Sequence, residues 1–389
     1  MKFHIFFYGH RDYTLDSAKL AHKDPDGMLT SISSIFYDSE LFSENFFGAT
    51  DSETPYVTEG RFADVKVGRD WSASTRSPRG FLRAPWNINP SEKVTRFHNV
   101  LGADMLTPSY SALTWPTCSS HLGMTTSSSY DTWFAWSWEA GYSPHGPVHA
   151  WVGGIGGGNA EDTFDALHSN GDLDDESLSL LKMQAFSRLK NLWRAEAIEA
   201  PKSCSADSPV EECTWACVDE PGTNSDIREQ LQMANVMPAS SSYQTIVKKA
   251  VCEATYWPGD MFEAASPIEA SFWPIHPTMD RLLQYKDLVQ PFTNKTWFLT
   301  DSSLPHSGTA CEYPKSECKG HHAGDLTYWK STTKSSDGTY SAEYLTNEEV
   351  RNALLPTGEY KASYIYNHFD WKHCDVLGHV FPKVSSSSR

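Results

Sequence analysis

The chain has 389 residues, a formal net charge of -17, 21% charged residues and 13% aromatic residues. That length buries a sizeable core in two or three modules, and the aromatic load with so modest a charged fraction excludes an intrinsically disordered chain. The acidic balance excludes nucleic acid as an expected partner, because a phosphate backbone needs a basic footprint. No apolar run reaches the length of a membrane span. Eight cysteines, most of them late in the chain, point to an oxidising compartment. The opening Met1-Lys-Phe-His-Ile-Phe-Phe-Tyr-Gly-His10 is nonetheless a poor signal peptide, with a short apolar stretch and no small-residue cleavage site. A secreted protein whose natural N-terminus lies further upstream would reconcile the two signs.

In chain order, residues 16–95 read as irregular, rich in Ser, Asp, Pro and Gly. Val94–Gly102 reads as a short helix or turn. The aromatic stretch Tyr130–Glu139 is expected to pack as core or to wall a pocket. Next comes Tyr142-Ser-Pro-His145-Gly-Pro-Val-His149-Ala-Trp-Val-Gly-Gly154. Prolines at 144 and 147 suit a first helical turn, which predicts a helix starting between Ser143 and Pro147 and stopped by Gly153-Gly154. On it His145 and His149 are four apart, so both imidazoles face one way and can grip one metal ion, copper or zinc alike. Residues 173–198 form the strongest helical pattern, with Leu178, Leu181, Phe186, Leu189 and Leu192 on one face and acids leading bases. Cys204, Cys213 and Cys217 follow in a Pro/Ser/Glu segment, and disulfides among them or with Cys252 are favoured over zinc. Residues 226–236 and 241–256 read as two further helices.

The C-terminal part, 301–389, reads as loop-rich. There Cys318, His321, His373 and Cys374 could be drawn as a zinc site, but a disulfide with surface histidines is the simpler reading. Asn294-Lys-Thr296 is a glycosylation acceptor if the chain is secreted.

Two stretches resemble a known family. His145-Gly-Pro-Val-His149-Ala-Trp-Val-Gly-Gly looks like the first half of the CuB motif of tyrosinases, catechol oxidases and haemocyanins. Phe272-Trp-Pro-Ile-His276-Pro-Thr-Met-Asp280-Arg281-Leu282 looks like its second half. The resemblance implies His145, His149 and His276 as ligands of one copper ion, and a structural Asp280–Arg281 pair. Departures are Gly146 where many tyrosinases have asparagine, Glu269-Ala270 for the usual Asp-Pro, and Ile275 in place of a histidine doublet. The asparagine helps activate phenols, so its absence favours diphenol oxidation. Upstream, Arg11–Asp16, Ser34–Phe36, Phe46–Gly48 and Val57–Phe62 follow the family's order, which implies that this sequence begins beyond the CuA half. His4, His10, His22, His98 and His121 do not resemble the CuA ligands.

The expected fold is mainly α: a tyrosinase-like copper-binding helical bundle, incomplete on its CuA side, with a helical insertion and a loop-rich C-terminal part. Its expected parts are 1–156, with the first CuB helix; 157–258, the insertion; 259–300, with the second CuB helix; and 301–389. By resemblance the activity is oxidation of o-diphenols, or similar small phenolic aromatics, with dioxygen. Two alternatives stay open: a catalytically silent relative carrying one copper, and a secreted, disulfide-braced binding protein without copper.

Overall fold

A computed structural model describes residues 37, 40–51, 53–67, 82–97, 99–103, 116–194, 196–201, 209, 212, 214–218, 246, 248–297, 320, 322–357, 364–376 and 378–385. They are mainly α-helical. In chain order the helices are α1 (Cys118–Thr126), α2 (Trp133–Ala140), α3 (Gly146–Gly153), α4 (Ala160–Ser169), α5 (Asp175–Met183), α6 (Ala185–Arg194), α7 (Phe272–Val289), α8 (Asn347–Leu354) and α9 (Lys372–Val376). The strands are β1 (Ile155–Gly156), β2 (Ile198–Glu199), β3 (Ala216–Cys217), β4 (Trp257–Pro258), β5 (Leu326–Lys334) and β6 (Tyr340–Thr346), paired antiparallel as β1–β4, β2–β3 and β5–β6. Among the described residues no helix is long and apolar enough to cross a membrane.

The chain groups into two compact units. One takes its described residues from Pro116–His145 and Ile275–Arg389, the other from Ser17–Trp115 and Gly146–Pro274.

In the first unit, Thr117 and Ser120 form a reciprocal capping box that starts α1, and the Thr132 hydroxyl caps α2 through the Ala135 N–H. Trp136, Leu282, Leu283, Tyr285, Leu288 and Phe292 pack with Phe369, Trp371 and Phe381 in one buried cluster. Each such side chain contributes about 1.5–3 kcal/mol by leaving water. The Cys118–Cys374 disulfide clips α9 to α1 across 256 residues of sequence. This leaves Cys374 unavailable for the zinc site that could be drawn from the sequence; Cys318, His321 and the His373 side chain lie outside the described residues. The C-terminal part is more regular than its sequence suggests, because β5, β6 and α8 occupy much of it.

Arg281 and Asp280 do not pair with each other, contrary to expectation. Adjacent residues on a helix point about 100° apart. Arg281 therefore donates to the carbonyls of His368 and Asp370 at 3.1 and 3.2 Å and lies 4.3 Å over the Trp371 ring, whereas Asp280 accepts from the Tyr364 hydroxyl at 2.5 Å.

In the second unit, the expected single helix over 173–198 is two helices, α5 and α6, broken at Gln184. Carbonyls at the break find donors elsewhere: Arg188 reaches Leu181 O at 2.8 Å and the Tyr256 hydroxyl reaches Ala185 O at 3.0 Å. The apolar face is core as expected, with Leu181, Leu189 and Leu192 buried and Phe186 stacked on Phe262 at 4.2 Å. Cys217 bonds Cys252, one of the pairings left open by the sequence. Cys204 and Cys213, and the helix expected at 226–236, lie outside the described residues. Within 241–256, residues 248–253 form a π-helical turn.

Val94–Gly102 is turn and bridge rather than helix, because its backbone bonds elsewhere: Phe97 N–H donates to Gly153 O at 2.7 Å and Leu101 N–H to Ile155 O at 2.8 Å. Gly153 is required at the end of α3, where a Cβ would meet the Phe262 nitrogen at 2.5 Å. Two buried ion pairs anchor this layer, Arg83–Asp260 at 2.7 Å and Arg96–Glu269 at 2.6 Å. Glu269, which stands where the resembled family has aspartate, is thus an anchoring carboxylate.

Beside the first pair, burial and the neighbouring Asp260 charge raise the Glu263 carboxyl to about 7, against the Ala84 N–H, the Asn87 amide and Arg83, which lower it. The folded state then holds this proton better than the unfolded chain, whose value is near 4.5. The resulting stabilisation is complete below about pH 4.5 and is lost as pH rises to about 7. Melting profiles should therefore show wild type losing stability relative to Glu263→Gln between about pH 5 and 7.5. Parallel profiles would contradict this assignment.

Candidate metal centre

The helical run that carries His145 begins at Trp133, ten residues before the earliest start expected from the prolines. Between α2 and α3 it passes through a π-helical turn, Gly141–His145, with Pro144 inside it. Proline has no N–H for the α-helical ladder and crowds the preceding turn, and a π-turn absorbs such an interruption without ending the helix. His145 closes the π-turn, and His149 follows one turn later in α3. His276 lies near the start of α7, where the Tyr366 hydroxyl donates to the adjacent Pro277 carbonyl at 2.9 Å.

The structure brings the three sequence-predicted ligands together. His145 Nε2 and His276 Nε2 are 3.2 Å apart, with ring planes nearly perpendicular at 83°. One candidate donor nitrogen from each of His145, His149 and His276 lies within 4.8 Å of the others, and all three residues are half-buried. Among the described residues they form the one group of three His, Cys, Asp or Glu side chains gathered in this way. His149 Nδ1 is 2.6 Å from the Met261 carbonyl, and its ring packs edge-on to Phe272 at 6.1 Å. A carbonyl only accepts, so Nδ1 carries the proton and Nε2 presents its lone pair. Burial holds the His149 imidazole below its usual titration range, against the Met261 bond, which raises it.

These residues fit a metal ion. Two imidazoles on one tetrahedral ion, each about 2.0–2.1 Å from it, hold their nitrogens about 3.3 Å apart, close to the separation seen for His145 and His276. The Met261 carbonyl is the outer partner that fixes a ligand's tautomer. It left no sequence signal, since a backbone oxygen belongs to every residue type.

Beside His145 and His276 lies a cavity of about 300 Å³ walled by Trp136, Ala140, Met279, Leu283 and Leu354, with Asp280 on its rim. Trp136 is both core and pocket wall, the two readings left open for the aromatic stretch. His121 is buried, with Nδ1 2.8 Å from the Thr117 carbonyl. His4, His10, His22 and His98 lie outside the described residues.

No family model, curated protein or solved structure matches the chain. The likeness to the CuB motif therefore rests on the residues quoted above and on the site they build.

Proposed function

We propose that His145, His149 and His276 bind one copper ion in a CuB-like centre. We further propose that the protein is a tyrosinase-like oxidoreductase in which, where a second copper is supplied elsewhere to take the second electron, two o-diphenols and one dioxygen give two o-quinones and two waters. The observation that carries the reading is the gathering of the three imidazoles, two brought by one helical run and the third by α7. Three neutral imidazoles suit both oxidation states of copper, and a bound copper would supply a one-electron centre with an open coordination position. The chain's own part is to fix those nitrogens, to hold the His149 tautomer through Met261, and to offer an apolar cavity beside His145 and His276. The disulfides Cys118–Cys374 and Cys217–Cys252 fit a secreted protein.

The test pairs copper binding with oxygen uptake. Wild type should take up about one copper per chain at this centre, and His276→Ala should weaken binding at least 100-fold while leaving the melting profile cooperative. Copper-dependent oxygen consumption with catechol supports the oxidase. Copper bound with no consumption leaves a metal-carrying relative of the family. A protein that binds no copper overturns the reading in favour of a disulfide-braced binding protein.

A further inference from the structure

We propose that the cavity beside His145 and His276 selects small aromatic molecules bearing an ammonium group, recognised by Asp280. The inference takes its catalytic meaning from the copper-centre reading, whereas the binding preference stands on the cavity alone. At about 300 Å³ the cavity is roughly twice the volume that accepts a benzene ring in an engineered protein core, and lies at the lower end of ordinary ligand sites. Its walls of Trp136, Ala140, Met279, Leu283 and Leu354 offer an aromatic ring apolar contact. Asp280 supplies the contrasting group.

Asp280 sits one turn after His276 on α7, so carboxylate and imidazole share a helix face. Among the described residues it makes no ion pair with a lysine, arginine or histidine. The adjacent Arg281 is turned to the His368 and Asp370 carbonyls and the Trp371 ring. The Tyr364 hydroxyl donates to Asp280 at 2.5 Å, which orients the carboxylate without neutralising it. Apart from the His145 and His276 imidazoles the lining is apolar, so the one acidic group on it is completed by a cationic ligand group. The chain's net charge of -17 favours the same ligands and repels aromatic carboxylates.

The test is calorimetric or NMR titration of copper-free protein at low salt with three probes of similar size: 2-phenylethylammonium, 2-phenylethanol and phenylacetate. The ammonium should bind about tenfold or more tightly than the alcohol, phenylacetate should bind weakest, and salt should narrow the gap. Asp280→Asn, checked for an unchanged melting profile, should bring ammonium and alcohol to parity. Equal affinities in wild type, a preference that survives Asp280→Asn, or no binding by any probe overturns the inference. Copper uptake on the same preparations separates the two claims. Copper bound without ammonium preference sinks this inference alone, and preference without copper supports it while the centre fails.

Discussion

Asp260→Ala is expected to destabilise the protein by about 3–5 kcal/mol, read as a fall in the urea midpoint at unchanged m-value. The Asp260 carboxylate and the Arg83 guanidinium are both fully buried, joined by two hydrogen bonds of 2.7 and 2.8 Å. The same carboxylate accepts the Thr95 N–H at 2.8 Å. Removing it leaves the buried Arg83 bonded to the Asn89, Ser91 and Lys93 carbonyls but without its paired carboxylate, with only the neighbouring Glu263 left to offset its charge. The loss reaches the proposed metal centre through one peptide, because Asp260 precedes Met261, whose carbonyl holds His149. The variant should therefore bind copper more weakly even under conditions where it is fully folded. A loss below about 1 kcal/mol would place the pair among salt bridges of little consequence.

The second large effect concerns Cys118–Cys374. Replacing both cysteines with serine should cost about 2–5 kcal/mol, since this bond closes the longest loop seen among the described cysteines. The effect should be local as well as global. Helix α9 is only five residues long and cannot hold itself in isolation, so the stretch over 364–385 should become sensitive to limited proteolysis first. With it go the His368 and Asp370 carbonyls and the Trp371 ring that position Arg281, beside the Asp280 rim of the cavity. Reduction of wild type, which also opens Cys217–Cys252, should lower the melting temperature at least as far as the double substitution does. A protein equally stable with and without the bond would contradict this account.

What the sequence disclosed follows from how local each signal is. The His145–His149 pair was readable from spacing alone, because four residues make one helical turn whatever the surroundings. His276 was readable only through resemblance, since nothing local joins residues 127 positions apart from His149. The extension of the helix back to Trp133 was hidden by Pro144, which ordinarily marks a helix start and here sits in a π-turn. The break at Gln184 was invisible because Arg188 and Tyr256, which satisfy the opened carbonyls, come from opposite sides of a long sequence gap. The pairing of Asp280 with Tyr364 rather than Arg281 depends on a segment more than 80 residues away. The buried pairs Arg83–Asp260 and Arg96–Glu269 are likewise long-range, and their charges read in sequence as ordinary surface residues. The cavity emerges only when α2 and α7 are seen side by side within their unit.

The central claim is that three imidazoles share one ion. Copper-edge X-ray absorption on protein loaded with one equivalent of copper tests it most directly, with His145→Ala and His149→Ala measured alongside. The account predicts three imidazole ligands in wild type and one fewer in each variant. Copper bound by fewer than three imidazoles in wild type, or a ligand count unchanged by either substitution, would contradict it.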